Sequence, residues 1–251
     1  MKAALLALVL AASPAESNSL FALYAQGQYD EAMRQGAAAG TATGFAIAAR
    51  AAMADAMMRP APCLECLKRA EAYARRAIAA DRDAADGHVW LAAALGYEAR
   101  IVGLVRARLD NDPAQAKTNL DDALKAQPDN AYALAALGGW NVEIVRAGGK
   151  FLANKLYGAS IEQGVMLFDR AVRAQPRNVA VRFQIALSLA GLDAETYRSR
   201  IDSELEAAIH ATPETAYEKF VQGRATELLA LLKRNDRDAF ESKLRSFQGY
   251  P

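Results

Sequence analysis

Cysteine and histidine are nearly absent from this sequence, at two residues each in 251. With no second cysteine pair and no histidine cluster, a four-ligand structural zinc site has nothing to be built from, and no metal or other cofactor is expected. Aromatic residues make up only 8%. No stretch alternates Val, Ile and Thr with polar residues, which argues against a β-rich fold. Eight prolines and 16 glycines are too few breakers for a disordered chain that is 53% hydrophobic. Net charge is missing as well: 30 Lys and Arg stand against 29 Asp and Glu, leaving +1. No global field therefore draws the protein to nucleic acid. No apolar run approaches the roughly 20 residues that span a bilayer.

What is present is alanine, in helical company. Its dominance over β-branched residues leans the whole chain towards helix. The opening "MKAALLALVLAASPAES" has one Lys, an apolar run and then small residues, the layout of a secretory signal peptide. Ser13 and Ala15 fit the small-x-small rule for cleavage after Ala15. Residues 1–15 are thus expected to be a leader and residues 16–251 a single domain, exported to the periplasm or secreted. No Cys sits near the cut to take a lipid.

The chain then repeats itself. "ALKAQPDNAYALAALG" (residues 123–138) is echoed by "AVRAQPRNVAVRFQIA" (residues 171–186). Three segments share a spacing of three and then five: Leu120, Ala123, Pro128; Phe168, Ala171, Pro176; and Leu205, Ala208, Pro213. A fourth has Ala74 and Ala77, with Arg82 in place of Pro. Four residues upstream stand Ala70, Ala116, Gly164 and Ile201, mostly small. Positions four and three apart share one helical face. Small residues there let a neighbouring helix approach, and the proline stops the helix. New helices are expected near Asp83, Asn130, Asn178 and Pro213.

This pattern resembles the tetratricopeptide repeat, whose unit is about 34 residues. The resemblance covers roughly residues 18–235 and includes the turn in "LYAQGQYDEAM". Gly36 departs from it, where a bulky residue is usual, and the units from residues 85 and 131 are too long. The expectation is an all-α, right-handed superhelix of stacked helix pairs with long insertions inside two repeats. "NDRDAFESKLRSFQGY" reads as a charged capping helix at its end. A narrower resemblance rests on "HVWLA", "ALGGW" and "KLYGAS". These are similar to the regulator-of-microtubule-dynamics group, whose bacterial relatives include exported helical-repeat proteins. The architecture is also similar to the periplasmic repeat component of some tripartite substrate-binding transporters. Both imply an interaction or ligand-binding role rather than catalysis.

Cys63 and Cys66 form a C-x-x-C pair in "PAPCLECLKRAE" at the start of a helix. A structural disulfide, a redox-active pair and a partial metal site are the available readings; the disulfide fits best because no strand precedes the motif. Closing so small a loop contributes ~2 kcal/mol or less. His88 precedes Trp90 on an apolar helix and reads as a core or interface residue, and His210 as a helix-end residue. No nucleophile–base order, paired-carboxylate site or glycine-rich phosphate loop is found, so the chain is read as non-enzymatic.

In the tetratricopeptide arrangement the first helix of each unit lines the concave groove. The resemblance places Val89 and Tyr97, then Tyr132 and Val142, then Phe183 and Leu187 there, with Glu143 as the chief charge. The two insertions, "RIVGLVRAR" and "RAGGKFLANK", supply a basic rim of Arg100, Arg106, Arg108, Arg146, Lys150 and Lys155. The expected function is a binding scaffold for a protein partner in the cell envelope. The alternative is a carrier of an apolar or anionic amphiphilic small molecule, and a third is a thiol–disulfide oxidoreductase.

Overall fold

The computed structural model describes residues 14–251, and among these it contains thirteen α-helices and no strand. The expected leader falls almost entirely on residues 1–13, outside the described part. Helices α1 (Pro14–Ala25) and α2 (Tyr29–Ala39) form the first pair, and α3 (Ala42–Met58) and α4 (Leu64–Ala80) the second. Next come α5 (Ala85–Val102), a short α6 (Leu104–Leu109) and α7 (Asp112–Ala126). Helices α8 (Ala131–Tyr157) and α9 (Ile161–Ala174) follow, then α10 (Val179–Asp193) and α11 (Arg198–His210). The chain ends with α12 (Ala216–Arg234) and α13 (Arg237–Phe247).

Helix starts are set by short polar side chains that accept a hydrogen bond from an otherwise unpaired N–H. Asn130 Oδ1 takes the Ala133 N–H at 3.0 Å, and Asn178 Oδ1 takes that of Val181 at 2.9 Å. Thr41, Ser160 and Thr215 cap α3, α9 and α12 in the same way. The repeated small positions then decide the packing. Ala70, Ala74, Ala77, Ala116, Ala123, Ala171 and Ala208 are all buried, beside the larger Leu120, Phe168 and Leu205. Backbones come close where α8 meets α9: a methyl group on Gly164 would lie 3.0 Å from the Gly138 carbonyl oxygen. At Gly36 a methyl would strike the Gly44 carbonyl oxygen of α3, so the bulky residue usual at this position has no room.

Each helix packs on its successor in the chain, and α3, α5, α8, α10 and α12 also pack in a row. That row is the inner layer of the stack. Helix α12 comes back to touch α1 and α3, so the inner layer closes on itself around an interior space. The outer layer is pinned by polar contacts. His88 places Nδ1 2.7 Å from Asn119 Oδ1 and Nε2 2.8 Å from the Arg82 carbonyl, tying the α4–α5 turn to α7. The two long units differ as the sequence suggests. Gly103 (φ 84°) separates α5 from α6, and Gly149 (φ 74°) breaks the helical path inside α8. Both lie in the positive-φ region that glycine enters at no steric cost.

Candidate functional site

The inner layer encloses a cavity of about 470 Å³. Its space comes from small residues on the inward faces of the two central helices: Ala93 and Gly96 on α5, Ala136 and Gly139 on α8. Larger apolar groups close it, among them Met53 and Met57 of α3, Trp140 of α8 and Tyr217 of α12. The walls are mainly apolar, as in sites where burial supplies affinity and a few polar groups set orientation.

Arg50 forms one end. It is a lone cation in the Ala-rich α3, and its guanidinium lies 4.5 Å from the Tyr24 ring centre and 5.1 Å from that of Tyr132. The Phe21 and Trp90 rings stand at 5.3 and 5.4 Å. Four aromatic faces thus replace much of the water a guanidinium would hold. Arg50 Nη2 donates to the Tyr132 hydroxyl at 3.0 Å, which also receives Asn178 Nδ2 at 3.1 Å. Burial pushes the Tyr132 hydroxyl pKa up, against the pull of the Arg50 charge. Burial alone would lower the Arg50 pKa, but Tyr132 and Tyr24 reverse that and leave it raised. Arg50 Nε and Trp90 Nε1 are buried donors without a hydrogen-bond partner.

The other end is built from the second half of α5, the middle of α8 and the last residues of the chain. Tyr250 donates its hydroxyl proton to Glu143 Oε1 at 2.8 Å and accepts from Arg146 Nη2 at 2.7 Å. Arg100 donates to the Gln248 carbonyl at 2.6 Å, and the Gln248 amide donates to the Leu187 carbonyl at 2.9 Å. Burial would raise the Glu143 carboxyl pKa; hydrogen bonding from Arg146 and the charges of Arg100 and Arg146 overcome this and hold it below the usual range. Gly249, at φ 81°, sits against the Tyr97 ring and lets the tail turn over this end.

A family model described as regulator of microtubule dynamics protein 1-3 matches residues 23–233. This chain belongs to that family. None of the curated proteins matches it. The family region takes in every cavity residue from Tyr24 to Tyr217, while α13 and the Tyr250 tail lie beyond it.

The expected groove residues divide. Val89, Tyr97 and Tyr132 line the cavity. Val142, Phe183 and Leu187 do not, which corrects the placement made from the repeat. Val142 is one residue out of phase with the cavity face of α8 and is buried against Gly164 of α9. On α10 the inward residues are Val181 and Gln184. Phe183 instead packs on Phe247 of α13, with ring centres 6.1 Å apart, and Leu187 is buried beneath Gln248. The C-terminal helix therefore occupies the face that the repeat alone left open. The basic rim divides too. Arg100 and Arg146 line the cavity, whereas Arg106, Arg108, Lys150 and Lys155 are exposed and do not. Arg106 is turned to Asp110 at 2.7 Å, and Lys155 lies 5.8 Å from the Phe151 ring centre. These four residues follow Gly103 or Gly149, where the helical path breaks.

Sequence reasoning missed Arg50, Trp90, Trp140, Tyr217 and Tyr250 as cavity residues. Arg50 carried a legible signal, because one cation in "GFAIAARAAMADAMM" has no polar face to sit on. Cys63 and Cys66 lie away from the cavity at the start of α4, with their sulfurs 2.00 Å apart, a disulfide pair. The Cys63 sulfur also accepts the Cys66 N–H at 3.2 Å and so caps the helix.

Proposed function

We propose that this chain is an exported, non-enzymatic helical scaffold of tetratricopeptide-like build, acting in the cell envelope by taking an apolar segment of a protein partner into its inner cavity. The observation that carries this reading is the apolar cavity of about 470 Å³ closed by Arg50 at one end and by Glu143 with Arg146 at the other. Membership of the regulator-of-microtubule-dynamics family supports an interaction role. The signal-like opening residues support export. Apolar walls supply affinity through burial, and the terminal charges select for matching polar groups.

A second reading is favoured by the size and apolar walls of the cavity: a space of about 470 Å³ also suits an apolar or amphiphilic small molecule. The test uses Gly96, a cavity-lining residue where an added Cβ meets nothing within 4 Å, so Gly96→Phe starts a ring into the cavity from open space. Mature protein purified from its producing cells is weighed by native mass spectrometry, and cross-linked in cells from a photoreactive residue at Ala93. A discrete partner captured by the parent and lost in Gly96→Phe is the expected result. An extractable small adduct that Gly96→Phe excludes moves the assignment to a carrier. Cross-links and masses that Gly96→Phe leaves unchanged refute cavity binding of either kind.

A further inference from the structure

The two insertions expose large apolar side chains that no packing argument requires. Val105 and Leu109 of α6, and Phe151, Leu152 and Leu156 beyond the break in α8, are each between 51% and 78% exposed. Val105 and Leu109 are four residues apart and so share one face of α6. Leu152 and Leu156 do the same on α8, while Ala153 between them is buried and anchors that segment to Val145 and Ala159. Gly103 and Ala107 on the first segment, and Ile144 and Ala147 just before the break in α8, line the same cavity. Large apolar side chains left exposed on two such segments point to an interaction surface.

Charge indicates its partner. Among the described residues, Arg108, Lys150 and Lys155 form no ion pair and are exposed around these side chains. The nearby acids are few: Asp110 is engaged by Arg106, and Glu162 lies within reach of the Lys150 charge. The apolar side chains stand exposed on short helical segments, with cations rather than acids beside them. A flat, soft, anionic surface suits that arrangement. Bulky side chains enter the headgroup layer, and long cations keep their charges at the phosphates.

We infer that the α6 segment and the end of α8 form a docking edge for an anionic membrane surface, with Val105, Leu109, Phe151, Leu152 and Leu156 inserted and Arg108, Lys150 and Lys155 at the headgroups. The edge holds the protein on the bilayer without crossing it, since no described helix is long and apolar enough to span one. It does so whatever fills the cavity.

The test is co-sedimentation of the mature protein, purified from its producing cells, with vesicles of phosphatidylcholine alone, or with about one-third phosphatidylglycerol. Binding is expected to the anionic vesicles only, and to weaken as salt screens the cations. Arg108→Gln/Lys150→Gln/Lys155→Gln is expected to weaken partitioning by about a hundredfold, three charges each contributing about fivefold. Leu109→Ser/Phe151→Ser is expected to abolish it. All substituted residues are exposed, so both variants should keep the parent's melting temperature and helical signal. Equal binding to neutral vesicles, or variants that bind like the parent, overturn the inference. A parent that ignores vesicles but self-associates through the same residues overturns it too, and makes the edge an interface between copies.

Discussion

Replacing Gly138 with alanine is the most direct test of the close helix contact on which this stack depends. A Cβ at that position would lie 2.5 and 2.6 Å from two ring carbons of Phe168 and 2.9 Å from the Gly164 carbonyl oxygen. Carbon atoms in contact prefer roughly 3.5–4.0 Å, so the ring has to retreat by about 1 Å. Phe168 is 1% exposed and sits within the close-packed main core. Overpacking of this kind costs ~1–3 kcal/mol, against a gain of about 1 kcal/mol from replacing glycine inside a helix. The net expectation is a loss of up to about 2 kcal/mol, or up to roughly 4–8 °C in melting temperature for a chain of this size. The informative assay is a double-mutant cycle with Phe168→Leu, which shortens the obstructing ring. The two changes together should cost at least ~1 kcal/mol less than their sum, as expected of residues in contact. Additive losses by urea denaturation, or a Gly138→Ala variant more stable than its parent, would refute the reasoning.

Three further outcomes are expected. Burial pushes the Glu98 carboxyl up to about 7 despite its pairing with Lys68, with the Glu71 charge adding to the rise. The folded state then keeps a proton that the unfolded chain releases above its ordinary value near 4.5, so stability is fullest below that pH and falls as pH rises through 7. Glu98→Gln should flatten this slope, worth at most ~3 kcal/mol between urea midpoints at pH 5 and 8; a parent more stable at pH 8 would contradict it. Glu204 is buried and accepts from Arg182 at 2.6 Å and from Arg200 at 2.5 Å. Glu204→Ala should cost ~3–5 kcal/mol. Loss of the exposed Lys243–Glu227 pair should cost ~1 kcal/mol or less, and equal effects at the two sites would sink the burial argument. Cys63→Ser opens only a four-residue loop and should lower stability by ~2 kcal/mol or less, so outright unfolding would show a larger role.

Much of the architecture was legible because it rests on local rules. The spacing of Leu120, Ala123 and Pro128, and of its counterparts, marks one face and one stop of each outer helix, and those faces are buried. Asn130 and Asn178 were readable as starts because capping depends on residues within one turn. The breaks at Gly103 and Gly149 fall in the two units that were too long for the repeat. The cavity was legible only in part, because its lining depends on rotational phase between helices far apart in sequence. An error of one residue exchanges Gln184 for Phe183 or Glu143 for Val142, a turn of about 100°.

The sequence by itself determined the helical class, the pairing of consecutive helices and the small residues that let them pack, since each follows from periodicity and propensity within a few turns. Only the tertiary structure decided that α12 returns to α1 and α3, that Arg50 is enclosed by four aromatic rings, and that Tyr250 bridges Glu143 and Arg146. The Tyr250–Glu143 contact joins residues 107 positions apart, and α12 meets α1 across a still longer stretch of chain. Their formation depends on the accumulated curvature of the whole stack, a sum of small helix-to-helix rotations that no single segment encodes.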